Sequence, residues 1–200
     1  MSGYTVIHKA SLALRYILWE GFQADDLGGN ISGGSQGIVF TNPKEAAEGL
    51  SGSAGRLSLW LYNITENAFM RNDPRHREEG VAFPSLPIDL SYLITPIWLH
   101  DESDLLMIGK VMQILNDTPV VVLSGDGTEP VHEELRVLLN PLRVDDMSRV
   151  WEALQQPYRL SVGYLVRVAR IDSLKPYTTG EIRSRVLDTG SLATGLAAAA

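Results

Sequence analysis

Residues 28–40, GGNISGGSQGIVF, nearly match two catalytic signatures. Gly33-Gly34-Ser35-Gln36-Gly37 fits G-x-S-x-G, the turn that presents a hydrolase serine between a strand and a helix. Gly28 to Ser35 fits the phosphate loop G-x-x-x-x-G-K-S except at the lysine position, which holds Gly34. Neither chemistry is completed by its flanks. Glycine-rich chain precedes Ser35 and strand-like GIVF follows it, the reverse of a nucleophile elbow. Gly34 brings no charge to the phosphates. The segment reads instead as a mobile glycine loop that can order against a partner.

The other reactive side chains are equally scattered. The four histidines are His8, His76, His100 and His132, and none is paired at the i, i+4 spacing of a metal site. His76 stands in PRHREE, where Arg75 and Arg77 repel a cation. His100-Asp101-Glu102 falls at a helix start, where acids answer the helix dipole. His132-Glu133-Glu134 falls in a strand, which sends alternate side chains to opposite faces. Trp19, Trp60, Trp98 and Trp151 fit core or partner contacts. No cofactor, metal or catalytic constellation emerges, and the chain reads as a binding or structural protein rather than an enzyme.

The elements that would position these residues alternate in period. Residues 5–22 repeat apolar positions every three or four residues, with Thr5 as N-cap. Residues 24–37 read as loop and 37–42 as a short strand. Residues 44–48 carry a helical turn. Residues 56–65 alternate with apolar groups on both faces, as a central strand does. Residues 67–87 form a long loop. Residues 88–98 alternate again, Ile88, Leu90, Tyr92 and Ile94 sharing a face, and Pro96 ends the ladder or marks an edge.

A helix over 102–116 faces inward with Leu105, Ile108, Met112 and Leu115 and is capped by Asp101. Residues 120–123 and 131–140 read as strands joined by a hairpin-type turn at 124–127. A helix over 144–156, capped by Asp145, turns Met147, Val150, Trp151 and Leu154 inward. A strand over 158–172 turns Leu160, Val162, Tyr164, Val166 and Val168 to one side. The expected fold is α+β: a mixed, mainly antiparallel sheet flanked by helices, with extended loops. Residues 1–172 make the domain and 173–200 an arm.

The chain has 200 residues, a formal net charge of −7 and no cysteine. That length supports one substantial core. Thiol nucleophiles, cysteine-based zinc sites and disulfides are excluded. Without a long basic run the charge argues against nucleic acid. No run is apolar enough for a bilayer span, and the first residues lack a signal-peptide pattern, so assembly in the cytoplasm is expected.

Four stretches carry a resemblance in their order and spacing: LSLWLYNITENAFMRN (57–72), PIDLSYLITPIW (87–98), IGKVMQILNDTPVV (108–121) and LRVLLNPLRVDDMSRVWEALQQPYRLSVGYLVRVARID (135–172). Together they resemble the N-terminal domain of tail-terminator, or cap, proteins of phage-tail-like contractile injection systems of bacteria. The resemblance implies an α+β subunit of a six-membered ring that ends the inner tube and contacts the last sheath layer. The partners it implies are further copies of the chain, tube subunits and sheath subunits. Its loops would then be interfaces, with Arg71, Arg75 and Arg77 meeting acidic groups. Gly33 and Ser35 belong to a second candidate surface. Ile182, Arg183, Arg185 and Val186 lie in an alternating stretch that suits an added strand. Two rival functions remain at this stage: a monomeric protein-binding adaptor, and a small serine hydrolase using Ser35.

Overall fold

Helix α1, Val6–Ala24, buries Val6, Ala10, Leu14, Leu18 and Phe22, the stripe that its three- and four-residue spacing lays along one side. The helix opens a computed structural model that describes residues 3–50, 54–70, 76–77, 80–81, 85–98, 101–123 and 133–173. Thr5, the expected cap, is itself helical (φ −75°) and makes no side-chain cap bond. Two short 3-10 turns, Gly28–Asn30 and Gly34–Gly37, lead into β1, Ile38–Val39. Helix α2, Pro43–Ala47, starts where the Glu45 N–H donates to the Asn42 side chain, with Pro43 in the first turn. Arg56 donates to the Ala46 and Glu48 carbonyls at the end of α2.

Strand β2 spans Arg56–Glu66, and the residues 76–77 and 80–81 form a separate two-residue ladder, β3 (His76–Arg77) with β4 (Gly80–Val81). There follow β5 (Leu86–Ile97), α3 (Asp101–Asp117), β6 (Val120–Leu123), β7 (Glu133–Leu139), α4 (Val144–Leu154) and β8 (Val162–Ile171). The main sheet has six strands in the order β1-β2-β5-β8-β7-β6. Its β1–β2 pair is parallel and the other pairs are antiparallel. The fold is therefore the expected α+β arrangement, a mixed and mainly antiparallel sheet flanked by helices.

The layers follow from the alternation of each strand. Leu57 and Leu59 of β2, Ile88, Leu90, Tyr92 and Ile94 of β5, Tyr164 and Val166 of β8, Leu135 and Val137 of β7, and Val121 and Leu123 of β6 share one core with α1 and α3. The opposite face carries a second, smaller cluster. There Leu93 packs with Met147 and Trp151 of α4, flanked by Trp60 and Tyr62 of β2.

Several expectations are corrected. Pro96 lies in β5, an interior strand, not at an edge. It is tolerated because the β8 ladder stops at Ile94, so no neighbour on that side requires its missing N–H. Strand β2 is not central, being flanked outside only by the two residues of β1. Strand β8 starts at Val162, which leaves Leu160 before it and 39 % exposed. Within β8, Ile88 pairs with Ala169 while Leu90 pairs with Val166, a bulge that returns Ala169 to the core. The side chain of Val168, expected on that face, lies outside those described. Helix α3 is rotated: Asp104, Met107, Ile108, Val111, Ile114 and Leu115 are buried, whereas Leu105 and Met112 face out. Asp145 is inside the first turn of α4, with Arg143 at the cap position, so it acts through the helix dipole rather than as the cap.

Candidate functional site

The glycine segment is anchored to the domain rather than hanging from it. The Ser32 N–H donates to the Gly55 carbonyl and the Gly55 N–H to the Asn30 carbonyl, forming a parallel bridge beside β2. The Trp98 indole N–H donates to the Asn30 carbonyl at 3.1 Å. Arg15 of α1 lies 5.0 Å from the centre of the Phe40 ring and donates to Gln36. Gly33 (φ 78°) and Gly34 (φ 64°) take left-handed backbone that the turn requires. Ser35 sits in the 3-10 turn that runs directly into β1. The chain therefore passes from turn to strand at the serine, and the strand-then-helix support of an elbow is missing around it.

Arg77 belongs to β3, paired with Gly80. Arg71, Arg75, Ile182, Arg183, Arg185 and Val186 lie outside the described residues, as do His100 and His132. Among the described residues no group of three or more His, Cys, Asp or Glu could hold a metal ion. Among them, too, no helix is long and apolar enough to cross a membrane.

Two buried carboxylates fix the ends of β5, and no motif announced either. Asp104 in the first turn of α3 accepts from the Trp98 backbone N–H at 2.9 Å and pairs with Arg159 at 3.3 Å. Arg159 also donates to the Trp98 carbonyl. One ion pair thus ties β5, α3 and the approach to β8. At the other end, Asp89 accepts from Asn67 through both oxygens at 3.1 Å and pairs with Arg167. Removing one partner of such a pair leaves a buried charge alone, which is far costlier than never having made it.

Three tyrosines hold their protons tightly. Burial pushes the Tyr92 phenol up to about 12, opposed by its bond with Ser11 at 2.8 Å. Because Ser11 donates its one proton to the Ile7 carbonyl, Tyr92 is the donor in that pair. Burial raises Tyr62 and Tyr164 as well; at Tyr62 a Ser91 bond opposes the rise and Asp146 adds to it. Tyr92 and Tyr62 each meet a serine hydroxyl, Ser11 and Ser91, and the Tyr92–Ser11 bond joins β5 to α1.

What the surface does offer is unpaired backbone and apolar side chains. Beyond Ser58 the outer edge of β2 has no partner strand among the described residues. Leu105, Leu106 and Met112 stand exposed on α3, and Val120, Val122 and Leu138 on the β6–β7 hairpin strands.

The family model for the Pvc16 N-terminal domain matches residues 10–185. The chain belongs to this family. A solved structure of the sheath/tube terminator of an extracellular contractile injection system, PVC, in its extended state, is similar at 18 % identity. That match has a TM-score of 0.60 and covers 96 % of this chain and 66 % of the terminator chain. The tube-terminating cap of the anti-feeding prophage matches at 15 % identity and a TM-score of 0.48, over 75 % of this chain and 52 % of that one. The chain thus spans about two thirds of the terminator's length and about half of the cap's. A comparison with curated proteins found no match. As a Pvc16 N-terminal domain, the chain shares the fold of the PVC terminator, helices packed on a mixed sheet.

Proposed function

We propose that this Pvc16 N-terminal domain is the working part of a tail terminator of a contractile injection system. It closes the distal end of the inner tube as a ring of identical subunits, six in number, and touches the last layer of sheath. The observation that carries this is the family match over residues 10–185, and the fold shared with a sheath/tube terminator supports it. The work is done by shape and adhesion, with no bond made or broken. Residues 1–172 form the assembling domain, and 173–200 an arm that adds to a neighbour. Beyond Ser58 the outer edge of β2 has no strand beside it among the described residues, and a sheet edge of that kind is suited to receive such an arm as an added strand. The Arg71, Arg75 and Arg77 set and the Gly33–Ser35 turn are further contact surfaces for tube or sheath. Assembly occurs in the cytoplasm, on a particle that works outside it.

Polymerising tube subunits with and without the chain tests this. A terminator shortens the tubes and appears as a ring on one end. Tubes of unchanged length with bare ends would refute it, and a chain that stays monomeric while binding one tube subunit would make it an adaptor.

A further inference from the structure

Two apolar surfaces of this domain lie on opposite sides of the sheet, and each lacks a cover among the described residues. The first is the outward stripe of α3. Leu105 and Leu106 are 62 % and 57 % exposed, and with Met112 they flank Gly109, where an added Cβ would meet nothing within 4 Å. Exposed Glu102 begins the same stripe. The inward side of α3 is fully used by the core, and no described residue covers this stripe.

The second surface is half of the sheet's other face. Helix α4 covers the β2–β5 half through Leu93, Trp60 and Tyr62. The β8–β7–β6 half has no helix over it among the described residues. Its side chains alternate with the buried Val121, Leu123, Leu135 and Val137, and a solvated face should be polar. Instead Val120, Val122 and Leu138 are 42 to 52 % exposed there, and Leu138 pairs across to half-buried Leu165. Arg136 lies between them, opposite Val120 on one side and Arg167 on the other. Arg167 has Asp89, while Arg136 has no ionic partner among the described residues. Glu134, beside Val122, is the acid on this face.

We propose that the occupant of the open half-sheet is α3 of a second copy, lying beside α4 and completing the helical layer that one copy leaves half built. This deepens the ring reading and rests on it. A cyclic contact above a dimer needs two different patches, so that each copy gives one and receives the other. A helix stripe and an uncovered sheet face on opposite sides meet that need. Charge agrees: Glu102 enters with the stripe, and Arg136 in the face has no ionic partner among the described residues.

The chain has no cysteine, which makes site-specific cross-linking clean. The full-length chain carrying both Leu105→Cys and Leu138→Cys is assembled on tubes and treated with a short bis-maleimide linker. A ladder of covalent oligomers is expected, and either single variant alone should stay uncoupled. Mixing the two single variants should yield dimers and nothing larger. A charged variant, Val122→Glu, should weaken association at least tenfold while its melting temperature stays within a few degrees of the parent. Rings that form without a ladder would overturn this contact and leave the ring itself intact. Linked dimers from one single variant would mean a self-facing contact and would overturn it. An intramolecular link between Leu138→Cys and Ile182→Cys in a monomer would make the chain's own later residues the cover, also overturning it. A parent chain that sediments as a monomer in the presence of tubes would instead remove the ring, and this contact with it.

Discussion

Tyr92 shows how one side chain can hold two layers together. It is fully buried in β5, and its hydroxyl reaches across to Ser11 of α1. Tyr92→Phe keeps the ring and loses the bond, so it should cost about 1 kcal/mol in urea unfolding at neutral pH. The pH dependence has a definite sign. The folded phenol ionises near 12, the free one at 10.0. Above pH 10 the unfolded chain releases this proton first, so stability is level below pH 10 and declines as the pH rises toward 12. The phenylalanine variant should flatten part of that decline, with Tyr62 and Tyr164 sustaining the rest. Gly55 makes a separate case, because a Cβ there would lie 2.1 Å from the Trp98 ring. Gly55→Ala should therefore cost roughly 1–3 kcal/mol, read as a lower melting temperature.

Elements were legible where one period ruled and illegible where a tertiary contact broke it. Strand β5 is a case of the former: Ile88, Leu90, Tyr92 and Ile94 alternate in sequence and all four are buried on one face. The α3 stripe is the opposite case. Leu105 and Met112 are as apolar as Met107 and Val111, and only the direction of packing on β5 and α1 decides which set turns inward. The bulge opposite Asp89 is likewise invisible locally, because nothing in RVARI marks the skipped position. The carboxylates Asp89 and Asp104 could not be found from motifs, since their partners Arg167 and Arg159 lie far along the chain. Leu160 and Val166 turn this difference into a measurement. Leu160→Asp, outside β8 and exposed, should change stability by less than about 1 kcal/mol. Val166→Asp, buried between α1 and the sheet, should cost more than about 4 kcal/mol and leave no cooperative unfolding transition at room temperature.

For the whole molecule, the candidate surfaces read from sequence split into two groups. Gly33 and Ser35 are seated in an ordered turn beside β2, whereas Arg71, Arg75 and the stretch around Ile182 to Val186 fall outside the described residues. The surfaces left without a cover among the described residues, the α3 stripe and the β6–β7–β8 face, had no motif to betray them. Ending the chain after Asp172 should leave the melting temperature within a few degrees, since the last strand among the described residues closes at Ile171. The same truncation should weaken ring assembly if residues 173–200 add to a neighbour. In the proposed role, copies of this domain close a tube. Electron cryomicroscopy of tube ends, prepared with and without the chain, tests it most directly. A closed ring of domains capping one end of each tube is expected with the chain, and bare, longer tubes without it; tube ends that look the same in both preparations would refute the terminator role.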